Sequence, residues 1–318
     1  MTGAGMKRIT TGFWILALPL LLIGGADRVH AQVRSEFRPQ VFGVGARSTA
    51  LADTYVSEVL DVTGMYSNPA GIRMLRTSAL MVSHLEEWSQ NSMRDNVTLP
   101  VIRLTDQALA VGASVNHIGK LRESPSVNYE GIQYAVSAAY AHVIAPDLTL
   151  GAGVTAHYST ASNSKLWTGF GSIGMMYTPD PVISYGLTFG SIGSNIRYQF
   201  ANGTTTLFRD NLSRHLEIGA TMRLPSGSRQ PRVVLTFANL KVLDTDGLTY
   251  KIGIEYTPID ILSLRAGYRV DPDVATARYG MGLHLRRIRL DWAIAPSKML
   301  DQMYQVTLSY DLSYSDSR

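Results

Sequence analysis

Charged side chains stand at even spacings within each stretch of the C-terminal half of this chain: Glu217 and Arg223, Lys251 and Glu255, Arg265 and Arg269, Arg278, His284 and Arg286, then Arg289 and Asp291. Both signs occur, with a basic excess toward the end. Spacing of this kind admits two chemistries. The charges pair with one another and brace whatever surface they line, or the arginines form a patch that attracts an anion or carboxylate. Arg265, Arg269 and Arg278 are the candidate patch. A second candidate is Asn68-Pro69-Ala70-Gly71, where the amide can hydrogen-bond a neighbouring backbone, Pro fixes φ and Gly tolerates positive φ, so the four residues can lock a turn. Catalytic signatures are poor. His84, His117, His142, His157, His215 and His284 lack the close spacing of metal ligands. The strings Gly171-Ser172-Ile173-Gly174 and Gly190-Ser191-Ile192-Gly193 lie in strand-like sequence rather than at a strand-to-helix elbow. No nucleophile–base pair can be named. The expectation is a non-enzymatic protein with no cofactor and no metal.

The elements that carry these charges read as strands. From Leu248 to Tyr256 the residues Leu248, Tyr250, Ile252, Ile254 and Tyr256 alternate with Thr249, Lys251, Gly253 and Glu255; segments 215–222 and 262–269 repeat the pattern. Strand side chains point alternately to opposite faces, so each segment has one apolar and one polar face. Strand-like segments occur near 77–87, 94–104, 107–117, 131–143, 147–160, 166–178, 182–190, 213–224, 231–238, 247–257, 260–270, 276–286, 287–295 and 303–313, about fourteen in all, as in a closed transmembrane barrel. Charge facing lipid at mid-depth costs about 2–4 kcal/mol per Arg or Lys. The polar face must therefore line the bore. A water-soluble sandwich would also alternate. It has no reason, however, to sort its connections into tight ones (145–147, 179–181, 258–260, 286–288) and long polar ones (117–130, 193–211) on opposite sides. Tyr177, Tyr256, Tyr268, Trp292, Tyr304 and Tyr310 stand toward strand ends, where ring side chains favour the headgroup level.

The remainder sets compartment and organisation. Lys7 and Arg8 precede an apolar run, Phe13 to Ile23, and Val29-His30-Ala31 supplies small residues for cleavage, so residues 1–31 read as a secretory signal. The run is too short for a spanning helix and holds Pro19. The chain has no cysteine, 17% charged residues and a formal net charge of +4. That charge argues against a nucleic-acid partner, and an exported chain without disulfides must rely on packing or on lipid. Residues 32–76, rich in Gly, Ala and Ser with a helix-like stretch from 47 to 60, read as a hatch; 77–313 as the barrel; and 314–318 as a tail. An even strand number puts both ends on the short-turn, periplasmic side of an outer membrane.

The segments Gly43-Val44-Gly45-Ala46-Arg47, Ala52-Asp53-Thr54-Tyr55-Val56 and Tyr66-Ser67-Asn68-Pro69-Ala70-Gly71 resemble the N-terminal signature of the PorV/PorQ-type outer-membrane proteins, a group similar in turn to the FadL-like transporters of long-chain fatty acids. The likeness covers about 30 residues, well short of the fourteen-stranded domain it precedes. Leu51-Ala52-Asp53 departs from the Gly or Met usual there, and Ser313 to Arg318 overrun the last strand. The PorV/PorQ likeness implies an accessory of type IX-like secretion, with exported cargo and other outer-membrane secretion components as partners. The FadL-like one implies a hatch inside the barrel and uptake of a hydrophobic small molecule such as a long-chain fatty acid. The secretion role is the leading expectation and uptake the alternative.

Overall fold

The computed structural model describes residues 44–312 apart from 60, 76–77, 88–91, 125–126, 162–163, 194–195, 201–202, 209–213, 226–231, 244, 246, 273 and 297–301. The signal segment 1–31, the first part of the expected hatch and the tail 314–318 lie outside the described residues. No helix among the described residues is long and apolar enough to cross a membrane. Strands run in chain order as β1 (Ala79–Glu87), β2 (Ser92–Thr98), β3 (Ile102–Arg103), β4 (Gln107–Ser124), β5 (Val127–Ala145), β6 (Leu148–Ala161), β7 (Ser164–Tyr177), β8 (Ile183–Gly193), β9 (Ile196–Phe200), β10 (Thr205–Phe208), β11 (His215–Leu224), β12 (Val233–Val242), β13 (Leu248–Ile259), β14 (Leu262–Val270), β15 (Ala275–Leu285), β16 (Ile288–Ala295) and β17 (Met303–Asp311).

These make a closed antiparallel barrel of fourteen wall strands. β2 and β3 are two pieces of one wall strand interrupted at Leu99–Val101, where Pro100 removes a donor. β9 and β10 form a hairpin inserted in sequence between β8 and β11; β9 pairs with the start of β7 from Ser164↔Phe200 to Trp167↔Arg197, and β11 pairs directly with β8. Every other neighbour in the wall is the next strand in sequence, and β17 closes onto β1 from Ala79↔Asp311 to Glu87↔Met303. Fourteen strands were expected, at nearly these positions. Both barrel ends meet at the rim of tight turns, where Leu312 N donates to Ser78 O at 2.9 Å.

Three expectations are corrected. The helix expected over 47–60 is a single turn, Ala46–Ala50, because Ala52 and Asp53 turn to positive φ (56° and 60°) and the chain then follows the wall. The long connections 117–130 and 193–211 are largely strand: β4 and β5 extend through the first, and β9 and β10 occupy much of the second. Arg286 is not a bore residue. It occupies the two-residue turn between β15 and β16, exposed and at φ 52°.

The outer face is apolar over most of its circumference. Val136, Tyr140 and Ile144 on β5, Ile252, Ile254 and Tyr256 on β13, and Leu308 and Tyr310 on β17 all point outward and are exposed. On β5 the outward residues Tyr134 to Ile144 span roughly 34 Å at about 3.4 Å per residue, or roughly 26 Å of depth at a tilt near 40°. That matches the apolar band of a membrane barrel, about 25 Å. Tyr134, Tyr158 and Trp167 stand in one cross-strand row with ring centroids 6.3 and 5.2 Å apart, and Tyr177 stacks on Tyr185 at 6.3 Å near the opposite rim. A closed barrel with this exterior satisfies its backbone internally and needs lipid around it.

Candidate functional site

The bore is occupied by residues 44–75, nearly all of which are buried. Their seating follows from glycines at inward positions of paired strands. Gly253 and Gly267 are directly opposed on β13 and β14, and a Cβ on Gly267 would stand 2.6 Å from both Ala50 O and Ala52 N. Gly186 and Gly219 are opposed on β8 and β11 beneath Val56, and Gly151 and Gly174 on β6 and β7 beneath Asn68–Ala70. At each of these three seats the wall lacks side chains where the segment's backbone needs the room.

Asn68 joins the parts. Its Nδ2 donates to Val56 O at 2.7 Å and to Met175 O on β7 at 3.0 Å, while its Oδ1 accepts from Ala70 N at 3.1 Å. That last bond caps a 3-10 helix, Pro69–Met74, with Pro69 at its first position where no donor is missed. Gly71 sits against Val59, and a Cβ there would collide with that side chain. The four motif residues are thus brought together as one buried turn touching both the segment and the wall.

The wall facing the other half of the segment is charged, and its charges are engaged. Arg47 donates to Glu255 (2.8 and 3.1 Å) and to Tyr55 OH (2.9 Å), and Tyr55 OH donates to Asp61 (2.8 Å). Asp61 meets Arg289 at 3.5 Å, Arg289 meets Asp291 at 3.0 Å, Asp291 accepts from Arg265 at 2.6 Å, and Arg265 returns to Glu255. The ring of seven side chains closes, three from the segment (Arg47, Tyr55, Asp61) and four from the wall (Arg289, Asp291, Arg265, Glu255), crossing between them at Asp61–Arg289 and at Glu255–Arg47. Arg223 pairs with Glu58, and Lys251 pairs with Glu217 at 2.9 Å while reaching Asp53 O at 3.3 Å.

Arg265, Arg269 and Arg278 lie on the inner face of β14 and β15, as their spacing predicts, and each meets a carboxylate. Arg278 donates to Asp53 at 2.6 Å, Arg269 stands 3.8 Å from the same carboxylate and chelates Asp271 at 2.8–3.0 Å, and Arg265 bridges Glu255 and Asp291. Asp271 lies in the β14–β15 connection. Burial alone would raise its pKa, but the Arg269 guanidinium and the Thr249 hydroxyl (2.7 Å) hold it below the ordinary carboxylate range. Sequence reasoning missed the partners contributed by the segment: Arg47, Asp53, Tyr55, Glu58 and Asp61. The available signal was three acids within a Gly/Ala/Ser-rich stretch set against basic C-terminal strands.

At the seam where the first and last strands meet, Thr49 Oγ1 donates to Gln305 Oε1 (2.5 Å), Gln305 Nε2 donates to Ser83 Oγ (3.0 Å), Ser83 shares a hydrogen bond with Thr307 (2.8 Å), and Ala46 N donates to Thr307 Oγ1 (2.9 Å). Away from the charged wall the interior is apolar: Val59, Val62, Met65, Ile72 and Leu75 cluster with Met81 of β1, Val101 and the small residues of β4 and β5. Among the described residues no three His, Asp or Glu side chains are placed to hold a metal ion.

No family model matches the sequence, and no curated protein matches it. Solved structures do match in fold. The Ralstonia pickettii toluene transporter TbuX is 12% identical, with 86% of this chain and 99% of that one covered at a TM-score of 0.59. The monoaromatic hydrocarbon channel CymD is 14% identical, with 87% and 99% covered at 0.64. A FadL homologue of Pseudomonas aeruginosa is 12% identical, with 84% and 98% covered at 0.57. At these identities what the chain has in common with them is its closed fourteen-stranded architecture.

Proposed function

We propose that this protein is an integral outer-membrane channel for small hydrophobic molecules, with residues 44–75 acting as its hatch and both termini on the periplasmic side. The observation that carries this reading is a bore filled by the chain's own N-terminal segment, in a barrel whose fold matches proteins described as toluene transporters and monoaromatic hydrocarbon channels over most of both chains. This favours uptake over the export accessory suggested by residues 43–71. A bore filled with protein suits an apolar solute, which needs contact with apolar side chains rather than a standing column of water. The cluster of Val59, Val62, Met65, Ile72 and Leu75 of the hatch with Met81 of the wall offers such contact. The charged side, with Arg265, Arg269 and Arg278 neutralised, holds the hatch to the wall, and Asn68-Pro69-Ala70-Gly71 fixes its second half. The protein's chemistry is then transport rather than catalysis.

The test pairs two measurements on the full chain in an outer membrane. Accumulation of radiolabelled toluene and of oleate by cells carrying the protein should exceed that of cells without it, and native mass spectrometry of gently extracted protein should find a hydrophobic adduct. No excess uptake, with exported proteins or other barrels co-isolating instead, would reverse the assignment in favour of secretion.

A further inference from the structure

One part of the outer wall departs from the apolar rule. His84 on β1 and Asp95 on β2 are directly opposed register partners whose side chains point outward, half exposed (49% and 54%), with Nδ1 and Oδ1 2.7 Å apart. Each stands well inside its strand. Around them the outward residues are Val82, Val97, Met93 and Val306, all exposed. The next row toward the β1–β2 hairpin tip adds Glu86 on β1 and the exposed His117 on β4, with Met93 between them. By contrast Arg232–Asp260, another exposed pair, sits at the tight-turn rim where headgroups and water are available. A hydrogen-bonded imidazole and carboxylate amid exposed valines have neither, so a surface of this kind needs a polar counterpart.

We propose that this face packs against the same face of a second copy of the chain, around a twofold axis along the membrane normal. The pair is self-complementary under that operation. His84 and Asp95 lie side by side on neighbouring strands, so a twofold axis between them sets the imidazole of one protomer opposite the carboxylate of the other, and the reverse. Strand tilt leaves a height offset of only about 3 Å between register partners, small enough for a side chain to span. The flanking Val82, Val97 and Val306 supply the apolar contact around the polar centre. The contact lies outside the bore and does not depend on what the bore conducts.

The absence of native cysteine makes the test direct. Val97→Cys places one thiol beside Asp95, and Ile254→Cys places a control thiol on the outer face of β13. In native membranes, mild oxidation should convert Val97→Cys to a disulfide-linked dimer at least fivefold more than the control. Adding His84→Asp should reduce this to the control level by setting like charges together. The double exchange His84→Asp with Asp95→His should restore it, because the swapped pair is equally self-complementary. Heat-modifiable migration on gels reports that each variant is a folded barrel. Cross-linking no greater than the control, cross-linking to a different protein, or failure of the exchange to restore the dimer would each overturn the proposal.

Discussion

Replacing Glu255 by Ala should free the N-terminal segment while leaving the barrel closed. Glu255 is the one ring member bonded to both a segment arginine, Arg47, and a wall arginine, Arg265, whose side chains are 3% and 1% exposed. Removing one partner of a buried pair costs about 3–5 kcal/mol, because the charge left behind is neither solvated nor compensated. Arg265 keeps Asp291 at 2.6 Å and Arg47 keeps the Tyr55 hydroxyl at 2.9 Å, so the lower end applies. About 3 kcal/mol corresponds to roughly 150-fold in the equilibrium between seated and released segment. The assay is hydrogen exchange, followed by mass spectrometry in detergent micelles, of the amides that close the Ala46–Ala50 turn, Thr49 N to Gly45 O and Asp53 N to Ser48 O. Exchange there should accelerate about 100-fold by way of local opening, with protection in β5 and β6 unchanged. Glu255→Gln, which keeps the shape and one acceptor, should fall between. If Glu255→Ala remains folded and exchange changes by less than threefold, the ring does not anchor the segment.

Other consequences can be checked in the same preparation. Gly267→Ala drives a methyl against Ala50 O and Ala52 N, backbone atoms that cannot rotate away, and should cost about 1–3 kcal/mol of overpacking, read as faster exchange in the segment and a lower melting temperature. Reversing Arg269 and Arg278 to Glu surrounds Asp53 with like charge and should release the same stretch, yet leave the ratio of oleate to toluene uptake unchanged; a shift in that ratio would make the arginines a carboxylate-binding patch. Asp271, with a folded-state pKa below its unfolded value of about 4, contributes stability that is complete above that value and is lost as pH falls through the lower folded one. The Asp271 N to Val274 O hydrogen bond should therefore stay protected at pH 5 and above and weaken only in more acidic solution, as exchange at that amide will report.

The wall was legible because a strand with lipid on one side and charge on the other must alternate, and Leu248–Tyr256 does so without interruption. The interior was less so. A helix over 47–60 is reasonable on composition, but Ala52 and Asp53 adopt positive φ where the wall glycines Gly253 and Gly267 admit the backbone, a tertiary effect beyond the local tolerance of Asp for that region. The hairpin of β9 and β10 escaped notice because its strands are only five and four residues long, so the alternation of Ile196-Arg197-Tyr198-Gln199-Phe200 is too brief to stand out within the stretch between Gly193 and Asn211. Arg286 was assigned inward by counting every second residue one step past the end of β15. The glycines themselves carried a signal. Gly151 with Gly174, Gly186 with Gly219 and Gly253 with Gly267 all fall at inward positions, and once strands are paired they stand opposite one another, which chance glycines seldom do.

The polar clasp of Thr49, Gln305, Ser83 and Thr307 bears on how the molecule is made. Ala46 and Thr49 emerge from the ribosome long before Gln305 and Thr307, and the contacts between them span more than 250 residues of chain. The earliest piece therefore cannot reach its berth until the final staves exist, and that berth lies on the very joint where the cylinder is hooped shut. Insertion and docking become one event: the stopper is enclosed as the cask closes around it, and it then serves as the keystone of the last joint.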